Sequence, residues 1–188
     1  MLAGKTRISL PYLILTIVDH NKTFTGRTLL QKAVYFVNEM ADCGVYFKPH
    51  YYGPYSSDVA VALENLVSIG FLNETEERFS PDWNVWGEVR RYTFKLTSEG
   101  TEIIKKIKGT PEYKQIKKIL KNLDRFKVAH DYNKLSQAAK IYHIVKSNGK
   151  VTVRKIKKEA SALGWDLKDS AINEMSSFLE KLRLIQVS

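Results

Sequence analysis

Ser56-Ser57-Asp58-Val59-Ala60-Val61-Ala62-Leu63-Glu64-Asn65-Leu66-Val67-Ser68-Ile69-Gly70-Phe71-Leu72 is the stretch on which the fold turns. Hydroxyl and carboxylate side chains at 56–58 suit a helix start. Val59, Leu63, Leu66 and Val67 recur at helical spacing to about Ile69, and Gly70 ends the helix ahead of an apolar pair. Downstream, Phe71 to Phe79 and Val89 to Leu96 read as the strands of a hairpin, the second setting Tyr92, Phe94 and Leu96 against Arg91, Thr93 and Lys95. Their connection, Ser80 to Glu88, carries Pro81, Trp83, Trp86 and Gly87, and Thr97 then caps a helix with Ile103, Ile104 and Ile107 on its apolar side. Upstream, Arg27 to Ala41 forms a helix with a broad apolar face, preceded by a polar break at Asn21 to Thr25 and by a first helix from Pro11 to about Asp19. Three helices, a hairpin and a further helix is the order of a winged helix-turn-helix.

The theme returns in the second half. Thr110-Pro111 opens a helix to about Lys127, with Tyr113, Ile116, Leu120 and Leu123 on one side and Lys114, Lys117, Lys118 and Lys121 around the rest. This helix either packs as a linker or pairs with a second copy as a homodimer. Its short heptad run makes a weak coiled coil, so packing ranks first. From Leu135 a three-helix pattern follows over 138–146, 153–163 and 168–181, with Thr152 and Asp166 as N-caps. Its ending, Leu179-x-x-Leu182-x-Leu184-Ile185, echoes Leu63 to Leu72. The expected architecture is mainly α with a small β-hairpin, an α+β chain of tandem winged-helix-like or helix-turn-helix domains. Residues 1–109 form the first, 110–133 a linker helix and 134–188 the second.

Charge is divided along the same line. Residues 1 to 99 carry 10 basic and 11 acidic side chains and the remainder 20 and 9, so the formal +10 of the 188-residue chain lies entirely in the C-terminal half. A surplus of this kind suits a polyanion, and duplex DNA is the expected partner; a lysine-covered solvated surface is the bland alternative. A single cysteine, Cys43, excludes a disulfide framework, and four histidines lack ligand spacing, so no metal or cofactor is expected. Lys5 and Arg7 precede an apolar run, Leu10 to Val18, too short to span a membrane and without a cleavage pattern, which points to a buried first helix, no membrane partner and a cytoplasmic protein.

No nucleophile sits beside a base, no P-loop or GxGxxG occurs, and Glu74 with Glu76 on one strand face read as solubilising acids. The expectation is therefore a binding protein and not an enzyme. The third helix, Asp58 to Ile69, contains no Lys or Arg and is a poor DNA reader. DNA contacts are expected instead from Arg90 and Arg91 on the wing and from Lys150, Arg154, Lys155, Lys157 and Lys158, the last four following the Thr152 cap, with Lys168 and Asn173 as candidates for base edges. The competing reading is a protein-interaction module on the same scaffold. It would meet a protein partner at the Phe47 to Tyr55 loop or at the Trp83/Trp86 hairpin tip. Within that loop, Gly53 before Pro54 is expected to be extended, with the tyrosine rings wedged between the second and third helices and Ser56 or Ser57 capping the third.

The string Gly26-Arg27-Thr28-Leu29-Leu30-Gln31-Lys32, followed by Phe47-x-x-x-x-Tyr52-Gly53-Pro54-Tyr55-Ser56, resembles the YwgA-type uncharacterised bacterial and archaeal proteins over about residues 8 to 108. More distantly it resembles the Panacea domain of SocA-like antitoxins, in which a Lys-x-x-x-aromatic helix precedes an aromatic-x-Gly-Pro loop. Tyr92-x-x-x-Leu96-Thr97-x-x-Gly100 is similar to the junction after the wing in winged-helix regulators. The first resemblance implies a winged-helix-like fold and no established biochemical activity; the domain order and the basic C-terminal half lead to the expectation of a transcription or antitoxin-like regulator.

Overall fold

A computed structural model describes residues 8–79, 89–148 and 151–185. The chain runs α1 (Leu10–Asn21), β1 (Phe24–Thr25), α2 (Arg27–Ala41), α3 (Ser57–Ser68), β2 (Leu72–Phe79), β3 (Val89–Leu96), α4 (Ser98–Ile107), α5 (Pro111–Leu123), a 3-10 turn (Lys127–His130), α6 (Tyr132–Asn148), α7 (Val153–Ala162) and α8 (Asp169–Lys181). It is mainly helical, with one three-stranded antiparallel sheet in the order β1-β3-β2. No helix among the described residues is long and apolar enough to cross a membrane.

Local chemistry accounts for most of these boundaries. The hydroxyls of Thr97, Thr110 and Thr152 each accept a backbone N–H three residues on and cap α4, α5 and α7. Asp166 does not cap α8; that position falls to Lys168, whose side chain makes no capping bond. At α3, Ser56 holds the N-cap position without a side-chain bond, and its hydroxyl is buried without a partner among the described residues. β1 lies inside the expected polar break: two residues pair with β3, Phe24 opposite Phe94 and Thr25 opposite Thr93. α6 starts six residues earlier than its apolar pattern implies, because Asp131 accepts the Lys134 N–H at 3.0 Å and opens a turn that buries Leu135 and Ser136. α5 ends at Leu123, short of Lys127.

α2 is the axis of the molecule. Every residue from Leu30 to Asn38 is buried, Gln31, Lys32 and Asn38 included, because neighbouring elements cover the helix on all sides. Its Phe36 ring meets Phe178 of α8 edge-on at 6.2 Å, and Tyr35 meets Tyr142 of α6 at 6.0 Å, so one hydrophobic core runs from α1 to α8. The apolar face of α5, Tyr113, Ile116, Ile119, Leu120 and Leu123, is buried in the same core, against α1 and α2. Cys43 is buried, and desolvation pushes its thiol up to about 11, in keeping with a structural role.

Candidate nucleic-acid interface and the clamped loop

The hairpin cations Arg90 and Arg91 lie beside acids. In the β2–β3 register Arg91 faces Glu77 and Arg90 faces Arg78, and the Arg90 and Arg91 guanidiniums lie 3.8 Å and 4.0 Å from Glu76 and Glu77 respectively. Trp83, Trp86 and Lys150 lie outside the described residues. On α7, Arg154, Lys155, Lys157 and Lys158 are all exposed, while Ile156 and Ala160 face inward. Lys157 donates to Asp169 at 2.8 Å, which ties α7 to the start of α8 and holds the ammonium above its ordinary pKa. Asn173 is exposed on α8, but Asp169, Glu174 and Glu180 outnumber Lys181 there. That is an unfavourable surface for a helix entering a groove of DNA.

A stronger cationic surface forms along α5, a helix whose own sequence implies only a solvated face. Lys114, Lys117, Lys118 and Lys121 of α5 join Lys22, just past α1, and Lys108, just past α4, around a cleft of about 640 Å³. One carboxylate, Asp19, shares it. The Tyr113 hydroxyl donates to Asp19 at 2.8 Å, and Lys22 and Lys117 each lie 3.6 Å from it. Burial works to raise the Asp19 pKa, but that hydrogen bond and the two ammonium charges hold it below the ordinary value. Lys117 is shifted down, by burial first and then by repulsion from Lys22 and Lys121 against the pull of Asp19. Lys118 and Lys121 also border an adjoining cleft with Arg125, so the positive surface continues along α5. The spacing 114, 117, 118, 121 marks one helical face and is the signal the sequence carries; Lys22 and Lys108 come together with it only through packing.

The Phe47 to Tyr55 loop is held from beneath by side chains. Gln31 of α2 donates to the Ser56 carbonyl at 2.9 Å and accepts the Ser56 N–H at 3.1 Å. Lys32, 1% exposed, donates to the Pro54 carbonyl at 2.6 Å. From the other half of the chain, the Trp165 indole donates to the His50 carbonyl at 2.7 Å, and Lys140 of α6 lies against Gly53. Gly53 is not extended: its φ is +97°, and an added Cβ would lie 3.1 Å from the Lys140 stem and 3.3 Å from that of Lys32. Nor do the tyrosines wedge between helices. Tyr51 and Tyr52 are 70% and 50% exposed, and the buried aromatic of the loop is Phe47. Burial, with the Lys140 charge beside it, pushes the Lys32 ammonium down to about 7.

Two cavities flank the clamped loop. A cleft of about 830 Å³ opens between the end of α2, the loop and α6, where Glu39 accepts from Lys146 at 2.6 Å and from the Tyr142 hydroxyl at 3.3 Å. A smaller one, about 180 Å³, lies between α2, α3 and the loop.

No protein-family model matches the chain. The chain is similar to "Uncharacterized protein YwgA" of Bacillus subtilis (strain 168), with 29% identity over 93 residues, 48% of this chain and 51% of that protein. The match thus spans about half the length of the relative. It is a distant similarity of the kind that the Gly26–Lys32 and Phe47–Ser56 strings imply.

Proposed function

We propose that this chain is a non-enzymatic DNA-binding protein, a transcription or antitoxin-like regulator, with winged-helix-like units at 1–109 and 134–188 joined through 110–133. The order α1-β1-α2-α3-β2-β3, with short β1 on the far side of β3 from β2, supports the winged-helix reading of the first unit. The observation that carries the function is the α1–α5 cleft, where six lysines surround a single carboxylate. Such a surface repels itself and is relieved when phosphates displace their counterions onto it. α3 offers no cation and α8 is acidic, so backbone contacts dominate over base readout.

Fluorescence anisotropy with a duplex oligonucleotide at low and moderate salt tests this. Affinity falls steeply as salt rises. Charge reversal of Lys114, Lys118 and Lys121 to Glu weakens binding by about tenfold or more and flattens the salt dependence, by ~0.9 in log–log slope for each phosphate that is no longer neutralised. Absence of binding by the unaltered chain at low salt overturns the reading. A protein-interaction module is the alternative, and it is favoured by the cleft beside exposed Tyr46.

A further inference from the structure

Lys32 is a buried amine whose ionised form has no counter-anion among the described residues. Its side chain is 1% exposed, its ammonium donates to the neutral Pro54 carbonyl, and no carboxylate among the described residues pairs with it. The charge beside it is another lysine, Lys140. Burial of an ionised amine on these terms is unfavourable, so the site has a standing preference for an anion. Lys32 also lines the 180 Å³ cavity, together with Arg27, His50, Tyr55, Val59 and Leu63. Arg27 is already committed: its guanidinium grips Glu74 through two bonds of 2.9 Å, stacks on Tyr92 at 4.4 Å and lies 3.7 Å from Glu64, the one acid in the lining.

The cavity's shape complements this charge. One wall is aromatic, with the His50 and Tyr55 rings 5.2 Å apart, and the other is aliphatic, from buried Val59 and Leu63 of α3. The volume equals about six waters at ~30 Å³ each, enough for one small ring or a short branched chain with a single head group. We propose that this cavity binds a small monocarboxylate, its head group toward Lys32 and its compact apolar body against Val59 and Leu63. The site stands independently of DNA binding. Its position gives it leverage all the same: of the lining residues, His50 accepts from Trp165 before α8 through its carbonyl and Lys32 flanks Gly53 opposite Lys140 of α6, so an occupant adjoins the contacts that join the two halves of the chain.

Benzoate and propionate are the probes, with benzamide as the uncharged match to benzoate, titrated into the full chain by calorimetry. Saturable binding of at least one carboxylate is expected, about tenfold or more tighter than benzamide. Binding strengthens from about pH 9 to about pH 7, because the carboxylate favours the protonated amine. Lys32→Met, which keeps the stem and removes the charge, abolishes it. Ala60 of α3 also lines the cavity, so Ala60→Leu, which fills it and leaves Lys32 in place, does the same, and melting curves establish that each variant is folded. The proposal is overturned if neither carboxylate binds saturably, if benzamide binds as well as benzoate, or if a folded variant of either kind binds undiminished.

Discussion

Lys32 shows how a single side chain sets the protein's response to pH. Its folded pKa is about 7 against an ordinary 10.5, so between those values the unfolded chain binds more protons than the folded one. Stability then rises as pH increases through that window and is flat, on this account, below it. Lys140, also shifted down by burial, acts in the same direction. Tyr35, Tyr113 and Tyr142, which burial shifts upward, oppose the trend only at higher pH. The melting temperature is therefore expected to increase from about pH 7 to about pH 9, and Lys32→Met to remove most of that slope. An unchanged slope in the variant contradicts the assignment. The neighbouring Gly53 is legible as a turn residue before proline, but its conformation is not. Proline's ring clashes with both the N–H and the Cβ of its predecessor, and glycine, which lacks the Cβ, is free to take the positive φ that fits between two lysine stems.

At the scale of elements, capping chemistry and periodicity place α1 to α5, β2, β3, α7 and α8 within a few residues. β1 escapes because two residues make no pattern, and its existence depends on pairing with a strand nearly seventy residues away. The Leu96-Thr97-x-x-Gly100 junction acquires a physical reason. Thr97 accepts the Gly100 N–H at 3.0 Å and donates to the Gly70 carbonyl at 2.6 Å, so the starts of β2 and α4 are drawn together. A Cβ on Gly100 would stand 2.1 Å from the Phe71 carbonyl oxygen, an impossible contact with backbone. Gly100→Ala is expected to cost about 2 kcal/mol or more, read as a lower denaturation midpoint, despite alanine's better helix propensity. A stabilised variant would show that the junction yields freely.

Across the whole molecule, the cations proposed to meet DNA lie on α7 and around the α1–α5 cleft. Lys155 and Lys158 are exposed and make no side-chain bond among the described residues, so Lys155→Ala with Lys158→Ala should leave the melting temperature unchanged and lower DNA affinity by less than the triple reversal on α5. If the α7 pair matters more, the principal grip lies in the C-terminal unit instead. Residue types and their spacing alone set the α+β class, the helix starts that carry a threonine cap, the two hairpin strands and the net positive surplus of the C-terminal half, because these follow from side-chain chemistry, periodicity along one element and simple addition. They determined the candidate sites less well. The α7 cations stand exposed, whereas on the hairpin Arg91 faces Glu77 of the paired strand and Arg90, opposite Arg78, lies 3.8 Å from Glu76, a fact of pairing and not of composition. Tertiary packing alone gathered Lys22 and Lys108 to the α5 lysines, enclosed Lys32 with no counter-charge among the described residues, and joined Trp165 to His50 across the chain. Those outcomes depend on how amphipathic helices pack around α2, and local pattern carries no information about which buried face meets which.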